Sequence, residues 1–375
     1  MRDMTTPPAN NMDVKRRNRV STLRCILKSD RVSQMELTQK LALSWPTILQ
    51  NVKELTELGL VREDGMYAST GGRKAKAYAP VRDARVAVGV DLTRDRVSVA
   101  LTDLSGNLLK QATGALRFSM EDIYFKYLGG LLQRFVDANG GEERLLGVGL
   151  ALPGTVDGER GVLRDSRDLE LRNVPLSRFT QQIPWPCRVL NTAHAAALAE
   201  FYGMEEDMVY LSLNDTVGGA IFRDGALCPG DHLRAGEFGH MTLVPGGRRC
   251  RCGREGCLDA YCSAKVLSDH AGGSLTAFFE ELRSGDAEKR EVWREYLENL
   301  AVAVNNLRVS FDCGVMVGGA VGACLEEFGE LLRALLAERN PFEQDTSYLR
   351  YGRRPQEAAA VGAALTQVEA FLQGL

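Results

Sequence analysis

The sequence predicts an α/β protein in which a small basic N-terminal domain, itself α+β, precedes a larger two-lobed body. Residues 1–85 hold 16 Lys and Arg against 9 Asp and Glu, whereas the remaining residues hold 30 against 40. Apolar residues recur at helical spacing before Pro80, and alternating β-branched runs follow it. Strand–turn–strand units then occur in both halves of the body, which indicates a duplicated fold.

Composition places the chain among soluble globular proteins. It has 375 residues, of which 45% are hydrophobic and 25% charged. The first residues lack the apolar stretch of a secretion signal, and the weakly polar run that begins at Asp312 is too short and glycine-rich to span a bilayer. Nine cysteines, an odd number, argue against a disulfide framework. We therefore expect a cytoplasmic protein with no membrane partner.

Three short helices are predicted in the N-terminal domain. Apolar residues recur at helical spacing from 14 to 27, and Ser33 with Glu36 fits the capping box that begins a second helix. Ser44 fits the N-cap of a third helix, and Gly59 ends that helix. A tight turn joins the last two helices, so the sequence predicts a helix-turn-helix.

The third helix is predicted to be the recognition helix, which reads bases with its N-terminal part. The residues that we expect it to present to DNA are Trp45, Thr47, Gln50, Asn51 and Lys53. Glutamine and asparagine can pair with adenine through two hydrogen bonds, and threonine can contact a thymine methyl group. The alternative is a small helical protein-interaction module; the turn spacing and the positive charge favour DNA binding.

A small hairpin is predicted to follow as a wing. Residues 61–62 and 66–67 would form its strands, with the turn at residues 64–65. A glycine-containing segment comes next and carries three cations, namely Arg73, Lys74 and Lys76. We expect these side chains to follow DNA phosphates or to enter a minor groove.

The clearest chemical signal is a cluster of histidine and cysteines in the second half of the chain. His240, Cys250, Cys252 and Cys257 have the spacing H-x9-C-x-C-x4-C. Three thiolates and one imidazole suit tetrahedral Zn²⁺, and four protein ligands make a closed, structural site. The alternative is a set of free buried thiols. Cys262 could replace one ligand, but we expect it to pack in the core.

These patterns divide the chain into three predicted domains. Residues 1–80 form the winged helix-turn-helix. Residues 81–200 form a first α/β lobe, which a helix near 356–375 completes. Residues 201–355 form a second α/β lobe that contains the zinc site.

With these motifs placed, the chain resembles the ROK family, named for its repressors, open reading frames and sugar kinases. The stretch that matches its zinc and sugar signature is GEFGH followed by CRCGREGCLDA, and further shared motifs are STGGRK, LPG at 152–154, GG at 318–319 and AAAVGAAL at 358–365. The winged helix with STGGRK is similar to the repressor branch. The resemblance implies a body with an actin-like ATPase (ribonuclease H-like) fold, two lobes and a cleft between them.

The resemblance also implies that the enzyme's catalytic residue is missing. Family kinases have a general-base aspartate directly after the position of Asn191, where this chain has Thr192. A threonine hydroxyl has no useful basicity near neutral pH. A neighbouring side chain, His194, could in principle replace the base.

The phosphate loops of the family are altered as well. The kinase motif D-x-G-x-T corresponds to residues 91–95, where only Asp91 remains. The second motif, G-T-G-x-G-G, corresponds to residues 214–219, where the first two glycines are absent and Asp215 adds a negative charge. We therefore predict no catalytic residues and no enzyme activity.

The sugar-facing positions are better preserved. The resemblance places Asn191, Glu237, His240 and Asp259 in an effector pocket, with Asp259 where the family more often has the longer glutamate. The alternatives are that both carboxylates lie on the surface and that Asn191 is only a turn residue or helix cap.

Together these features predict a sugar-responsive transcriptional regulator of carbohydrate metabolism, expected to be a repressor. Its partners would be operator DNA and a sugar or sugar derivative, and the resemblance implies a homodimer or a dimer of dimers. Two alternatives remain open: an ATP-dependent sugar kinase with an unusual base, and a DNA-binding regulator controlled by a protein partner.

Overall fold

The structure, a computed structural model, describes residues 11–67, 75–354 and 356–375. Its N-terminal part contains helices α1 (Asn11–Leu27), α2 (Gln34–Leu41) and α3 (Trp45–Glu57), with strands β1 (Val32–Ser33), β2 (Val61–Met66) and β3 (Lys76–Pro80). The capping box is confirmed, because Ser33 Oγ accepts from the Glu36 amide and the Glu36 carboxylate accepts from the Ser33 amide. Ser44 is the N-cap of α3, as predicted.

The wing differs from the prediction. Strand β2 pairs antiparallel with β3, and β1 pairs with the other edge of β3, so the sheet order is β1-β3-β2. Residues 64–65, predicted to form the turn, lie within β2 at a bulge where the register shifts between Glu63 and Met66. The turn prediction was wrong because an Asp-Gly pair with positive φ at Gly65 suits a bulge as well as a hairpin turn.

The first part of the body is a five-stranded sheet with helices on both faces. Its elements are β4 (Val86–Leu92), β5 (Arg96–Asp103), β6 (Leu108–Ala115), α4 (Asp122–Ala138), β7 (Leu145–Leu152), β8 (Thr155–Asp157), β9 (Val162–Ser166), β10 (Leu171–Pro175), α5 (Ser177–Thr180), β11 (Cys187–Asn191) and α6 (Thr192–Phe201). The main sheet has the order β11-β7-β4-β5-β6, and β8, β9 and β10 form a small side sheet.

The second part of the body repeats this plan. Its elements are β12 (Met208–Leu213), β13 (Val217–Arg223), β14 (Ala226–Leu227), α7 (Asp259–Cys262), α8 (Ala264–Ser268), α9 (Leu275–Ser284), α10 (Ala287–Phe311), β15 (Gly314–Gly318), α11 (Gly319–Gly322), α12 (Leu325–Phe328), α13 (Glu330–Arg339), β16 (Leu349–Tyr351) and, last in the chain, α14 (Ala358–Gly374). The order β16-β15-β12-β13-β14 matches that of the first sheet strand by strand, with two parallel and two antiparallel pairings in each. The predicted duplication is therefore present.

Helix α14 packs at very short range between the first sheet and α6. A Cβ atom added to Gly89 would lie 1.7 Å from the carbonyl oxygen of Ala360, and one added to Gly362 would lie 1.6 Å from that of Ala195. Only hydrogen fits at these positions, so glycine at both of them is what permits the contact. The last helix of the chain thereby becomes part of the first sheet's core.

The same helix joins the body to the N-terminal part. Leu23 and Ile26 of α1 belong to one continuous buried cluster with Leu372 of α14. Arg24 of α1 makes two hydrogen bonds, of 3.0 and 2.5 Å, to the carboxylate of Glu369. The helix-turn-helix is therefore braced against the end of α14.

In the parts of the chain that the structure describes, none of the helices combines the length and the apolar character needed to cross a membrane.

Substitution of Gly362 should test the α6–α14 contact. Gly362→Ala places a methyl group against the carbonyl of Ala195, and overpacking of this kind destabilises a protein by about 3 kcal/mol. Urea unfolding of the full chain measures the change. Gly374→Ala in the same helix is the matched control, because a Cβ there meets nothing within 4 Å. Equal stability of the two variants would show that the helices are not in close contact.

Candidate functional site

The exposed face of α3 combines apolar and polar side chains. Trp45 is 49% exposed and Leu49 50% exposed, and they lie one helical turn apart. Gln50 and Lys53 are exposed beside them, and Thr47 is half-buried. Leu49 did not enter the predicted set, which contained the tryptophan and polar residues; its i+4 spacing from Trp45 is the signal that could have found it. This face is the candidate nucleic-acid interface.

Asn51 does not belong to that face. Its side chain is 6% exposed, and its Nδ2 donates a 2.9 Å hydrogen bond to Oγ1 of Thr22 in α1. The prediction that α3 presents Asn51 outward was wrong, because this amide turns inward and ties the recognition helix to α1. A buried side-chain amide that is already hydrogen-bonded within the protein stabilises the fold and does not face a ligand.

The basic residues after the recognition helix are only partly described. Lys76 is exposed at the start of β3, where its Nζ lies 2.7 Å from Oε1 of Glu63. Arg73 and Lys74 lie outside the described residues. Their predicted role as DNA contacts stays a prediction.

The predicted metal ligands converge in space. The ligand atoms of His240, Cys250, Cys252 and Cys257 all lie within 4.8 Å of one another. The sulfur atoms of Cys252 and Cys257 are 3.6 Å apart. The Nδ1 atom of His240 is buried and has no hydrogen-bonding partner among the described residues, so a nitrogen there is free for another ligand. This set of donors could hold a metal ion.

Electrostatics in the cluster are those of closely packed thiols. Burial raises the pKa of Cys250 to about 12. At Cys252 burial acts in the same direction, but a backbone hydrogen bond from Arg254 and contacts with neighbouring thiols and Arg167 bring the pKa down to about 7. Burial also lowers the pKa of His240, which favours the neutral imidazole that binds metals. The fourth cysteine of this region, Cys262, is fully buried in the core as predicted.

Of the predicted effector residues, Asn191 uses both the oxygen and the nitrogen of its side-chain amide in bonds within the chain. Its Oδ1 accepts from the amides of Ala193 and His194 at 2.8 and 3.0 Å, and its Nδ2 donates to the carbonyl of Gly154 at 2.8 Å. Asn191 is thus the N-cap of α6, the alternative that the sequence left open. The hydroxyl of Thr192 beside it is buried and has no partner among the described residues.

Asp259 and Glu237 lie on either side of the metal cluster and differ in exposure. Asp259 is 6% exposed, and its Oδ1 accepts a 2.7 Å hydrogen bond from the amide of Val217. Its Oδ2 lies 3.9 Å from Cys250 Sγ. Glu237 is exposed and precedes the 3₁₀ turn that ends at His240. Asp259 is therefore a buried structural acceptor as well as a candidate ligand, whereas Glu237 is free in the described structure.

The loop that corresponds to the first phosphate motif makes a hydrogen bond and an ion pair within the protein. In the turn between β4 and β5, the amide of Thr93 donates to the carbonyl of Arg96 at 2.9 Å, and Arg94 pairs with Glu170 at 2.5 Å. Asp91 is 4% exposed, and burial raises its pKa to about 6, partly offset by Arg96. The shift reflects the desolvation of a buried carboxyl group.

In the loop that corresponds to the second phosphate motif, the side chain of Asn214 binds a backbone amide. Its Oδ1 accepts a 2.9 Å hydrogen bond from the amide of Ala320, at the start of α11 and directly after the glycine pair 318–319. Its Nδ2 donates to Ser212, and its carbonyl accepts from the amide of Ala264. An amide that would otherwise be available to an anion at this turn is already satisfied within the chain.

Comparison with known proteins gives two family matches. The profile of the ROK family matches residues 87–369. A winged helix-turn-helix DNA-binding profile matches residues 16–62. A xylose repressor from Caldicellulosiruptor bescii is 28% identical over 265 residues, which span 69% of this chain and 66% of that repressor. The match thus covers slightly less than two thirds of the relative.

Solved structures with the same fold include regulators and kinases. A ROK family transcriptional regulator, titled a homolog of the E. coli MLC protein, has a TM-score of 0.76 and 20% identity over 96% of this chain and 98% of its own. A ROK hexokinase from Thermus thermophilus has a TM-score of 0.61 and 27% identity over 75% of this chain and 97% of its own. The predicted winged helix-turn-helix followed by a two-lobed, actin-like body is confirmed. Because the ROK profile spans both sheets of the body, this chain belongs to the ROK family.

Proposed function

We propose that this protein is a sugar-responsive DNA-binding transcriptional repressor whose kinase-like body does not transfer phosphate. The observation that carries the proposal is the combination of a winged helix-turn-helix with a ROK body whose phosphate loops are closed by the chain's own side chains. The exposed face of α3 would enter the major groove of an operator. A sugar in the body would shift operator affinity through its different affinities for two protein conformations.

Three features support the absence of phosphoryl transfer. The position of the general base holds Thr192, whose hydroxyl is buried and cannot serve as a base at neutral pH. Asn214 occupies the amide at the start of α11. Of the first phosphate motif only Asp91 remains, and its glycine is absent. Loss of a general base alone commonly lowers a rate by ~10²–10⁴.

A carbohydrate is the effector class that we propose for the cleft. The C. bescii relative is named for xylose, and hexokinases share the fold. Glu237 is exposed and can accept hydrogen bonds from vicinal hydroxyls, with His240 and the buried Asp259 nearby. Asn191 would act mainly by fixing α6, because its amide groups are engaged.

Zinc is the metal that we propose for the cluster. Three thiols and one imidazole within 4.8 Å match the donor preference of Zn²⁺, and four protein ligands leave no open position for catalysis. The ion would stabilise the thiolates and hold the loop from 250 to 257.

The remaining organisation follows from these roles. We propose domain limits at 1–80, at 81–200 with 356–375, and at 201–355, with cytoplasmic location. A homodimer would place two winged helices on the half-sites of a palindromic operator.

Operator binding should be strong at low salt and weaker at high salt, because Lys and Arg release counterions from phosphates. Gln50→Ala should lower affinity about tenfold if Gln50 reads a base through paired hydrogen bonds. Gel shifts with the protein's own upstream DNA, with and without a panel of sugars, measure affinity and effector response. The absence of specific operator binding would refute the proposed function.

Two controls sharpen this measurement. Gln111→Ala changes an exposed glutamine on β6, away from the helix-turn-helix, and should leave binding unchanged. Asn51→Ala should lower the melting temperature of the N-terminal domain, since it removes the buried bond to Thr22. If Asn51→Ala instead weakened binding without loss of stability, Asn51 would be a DNA contact after all.

Metal analysis of the purified protein should find about one zinc per chain, as in closed four-ligand sites. Cys252→Ser should remove it, because one of the four ligands is lost. Cys228→Ser, a half-buried cysteine outside the cluster, is the matched control and should retain zinc. Retention of zinc by Cys252→Ser would place the ion elsewhere.

A further inference from the structure

The turn of the β9–β10 hairpin reaches from the first half of the body to the metal loop, residues 250–257, in the second half. The turn comprises residues 167–170. Nη1 of Arg251 lies 2.7 Å from Oδ1 of Asp168, with both side chains partly exposed. Arg251 stands between two of the candidate metal ligands, so this ion pair fastens the hairpin to the cluster.

The hairpin is held rigid at this turn. Leu169 is buried in the core below the first sheet, and its amide donates to Oγ of Ser166. Glu170 pairs with Arg94 in the turn between β4 and β5. A preorganised turn loses little conformational entropy when it binds the metal loop.

Arg251 also contacts the candidate effector site. Its Nε lies 3.5 Å from Oδ2 of Asp259, while Oδ1 of the same carboxylate accepts from Val217. One guanidinium therefore joins three features: the hairpin of the first half, the metal loop and the buried carboxylate of the pocket.

We propose that the ion pair of Asp168 with Arg251 forms a clasp that holds the two halves of the body together across the cleft, and that the metal holds Arg251 in position for it. The metal loop then sets the opening of the cleft in addition to supporting the local fold. The role of the metal rests on the proposed zinc site, whereas the ion pair itself does not.

Hydrogen exchange followed by mass spectrometry tests this on the full zinc-loaded chain, without DNA or sugar. Asp168→Asn should raise the exchange rate of amides in residues 167–171 about two- to fivefold, the range for a partly exposed ion pair. Chelation of the metal should produce the same increase in the wild type and no further increase in Asp168→Asn.

The matched control is Asp165→Asn, because Asp165 lies in the same hairpin but pairs only within it, with Arg172 and Arg167, among the described residues. The metal content of Arg251→Gln is measured as well. The double variant, Arg251→Gln with Asp168→Asn, should exchange the amides of residues 167–171 no faster than either single variant. Equal exchange in Asp168→Asn and Asp165→Asn would overturn the clasp. An increase in Asp168→Asn without any effect of chelation would overturn the role of the metal.

These outcomes are independent of the proposed function. A protein that fails to bind operator or sugar can still show the clasp, and a protein without the clasp can still respond to a sugar.

Discussion

The close contact of α14 with α6 is the constraint on which the arrangement of the molecule depends. Gly362 lies directly against the carbonyl of Ala195, and Gly89 admits the backbone of α14 to the first sheet. The end of the same helix holds Arg24 of α1 through Glu369. Since Asn191 caps α6 at the cleft, one packed unit runs from the candidate effector site to the helix-turn-helix. Packed interiors transmit small shifts because they are nearly incompressible.

The body has the fold of a sugar kinase, but the side chains of its two phosphate-related loops form bonds within the chain. Asn214 bonds the start of α11, and Arg94 pairs with Glu170 of the hairpin turn. Groups that could approach a nucleotide thereby stabilise turns within each half of the body. Such bonds hold the loops in one conformation without a bound nucleotide.

Sequence reasoning succeeded where the signal was local. Ser33 with Glu36, Ser44, and the spacing of His240 with the three cysteines each depend on residues near in sequence, and the structure has all of them. It failed where a distant partner decides the outcome. Asn51 lies at the border of the inward face of α3, and only Thr22 of another helix makes it a buried donor.

The wrong turn prediction and the unpredicted contact of Arg251 also depend on partners that are distant in the sequence. The Asp-Gly pair at 64–65 permits a turn or a bulge, and the pairing of β2 with β3 selects the bulge. Nothing near Arg251 in the sequence indicates that it meets Asp168.

The central claim is that the body binds a carbohydrate but does not transfer phosphate. Release of ADP from MgATP by the zinc-loaded protein with a panel of monosaccharides tests it most directly. The account predicts background release with every sugar; sugar-dependent turnover of about 1 s⁻¹ or faster, as in working enzymes, would contradict it.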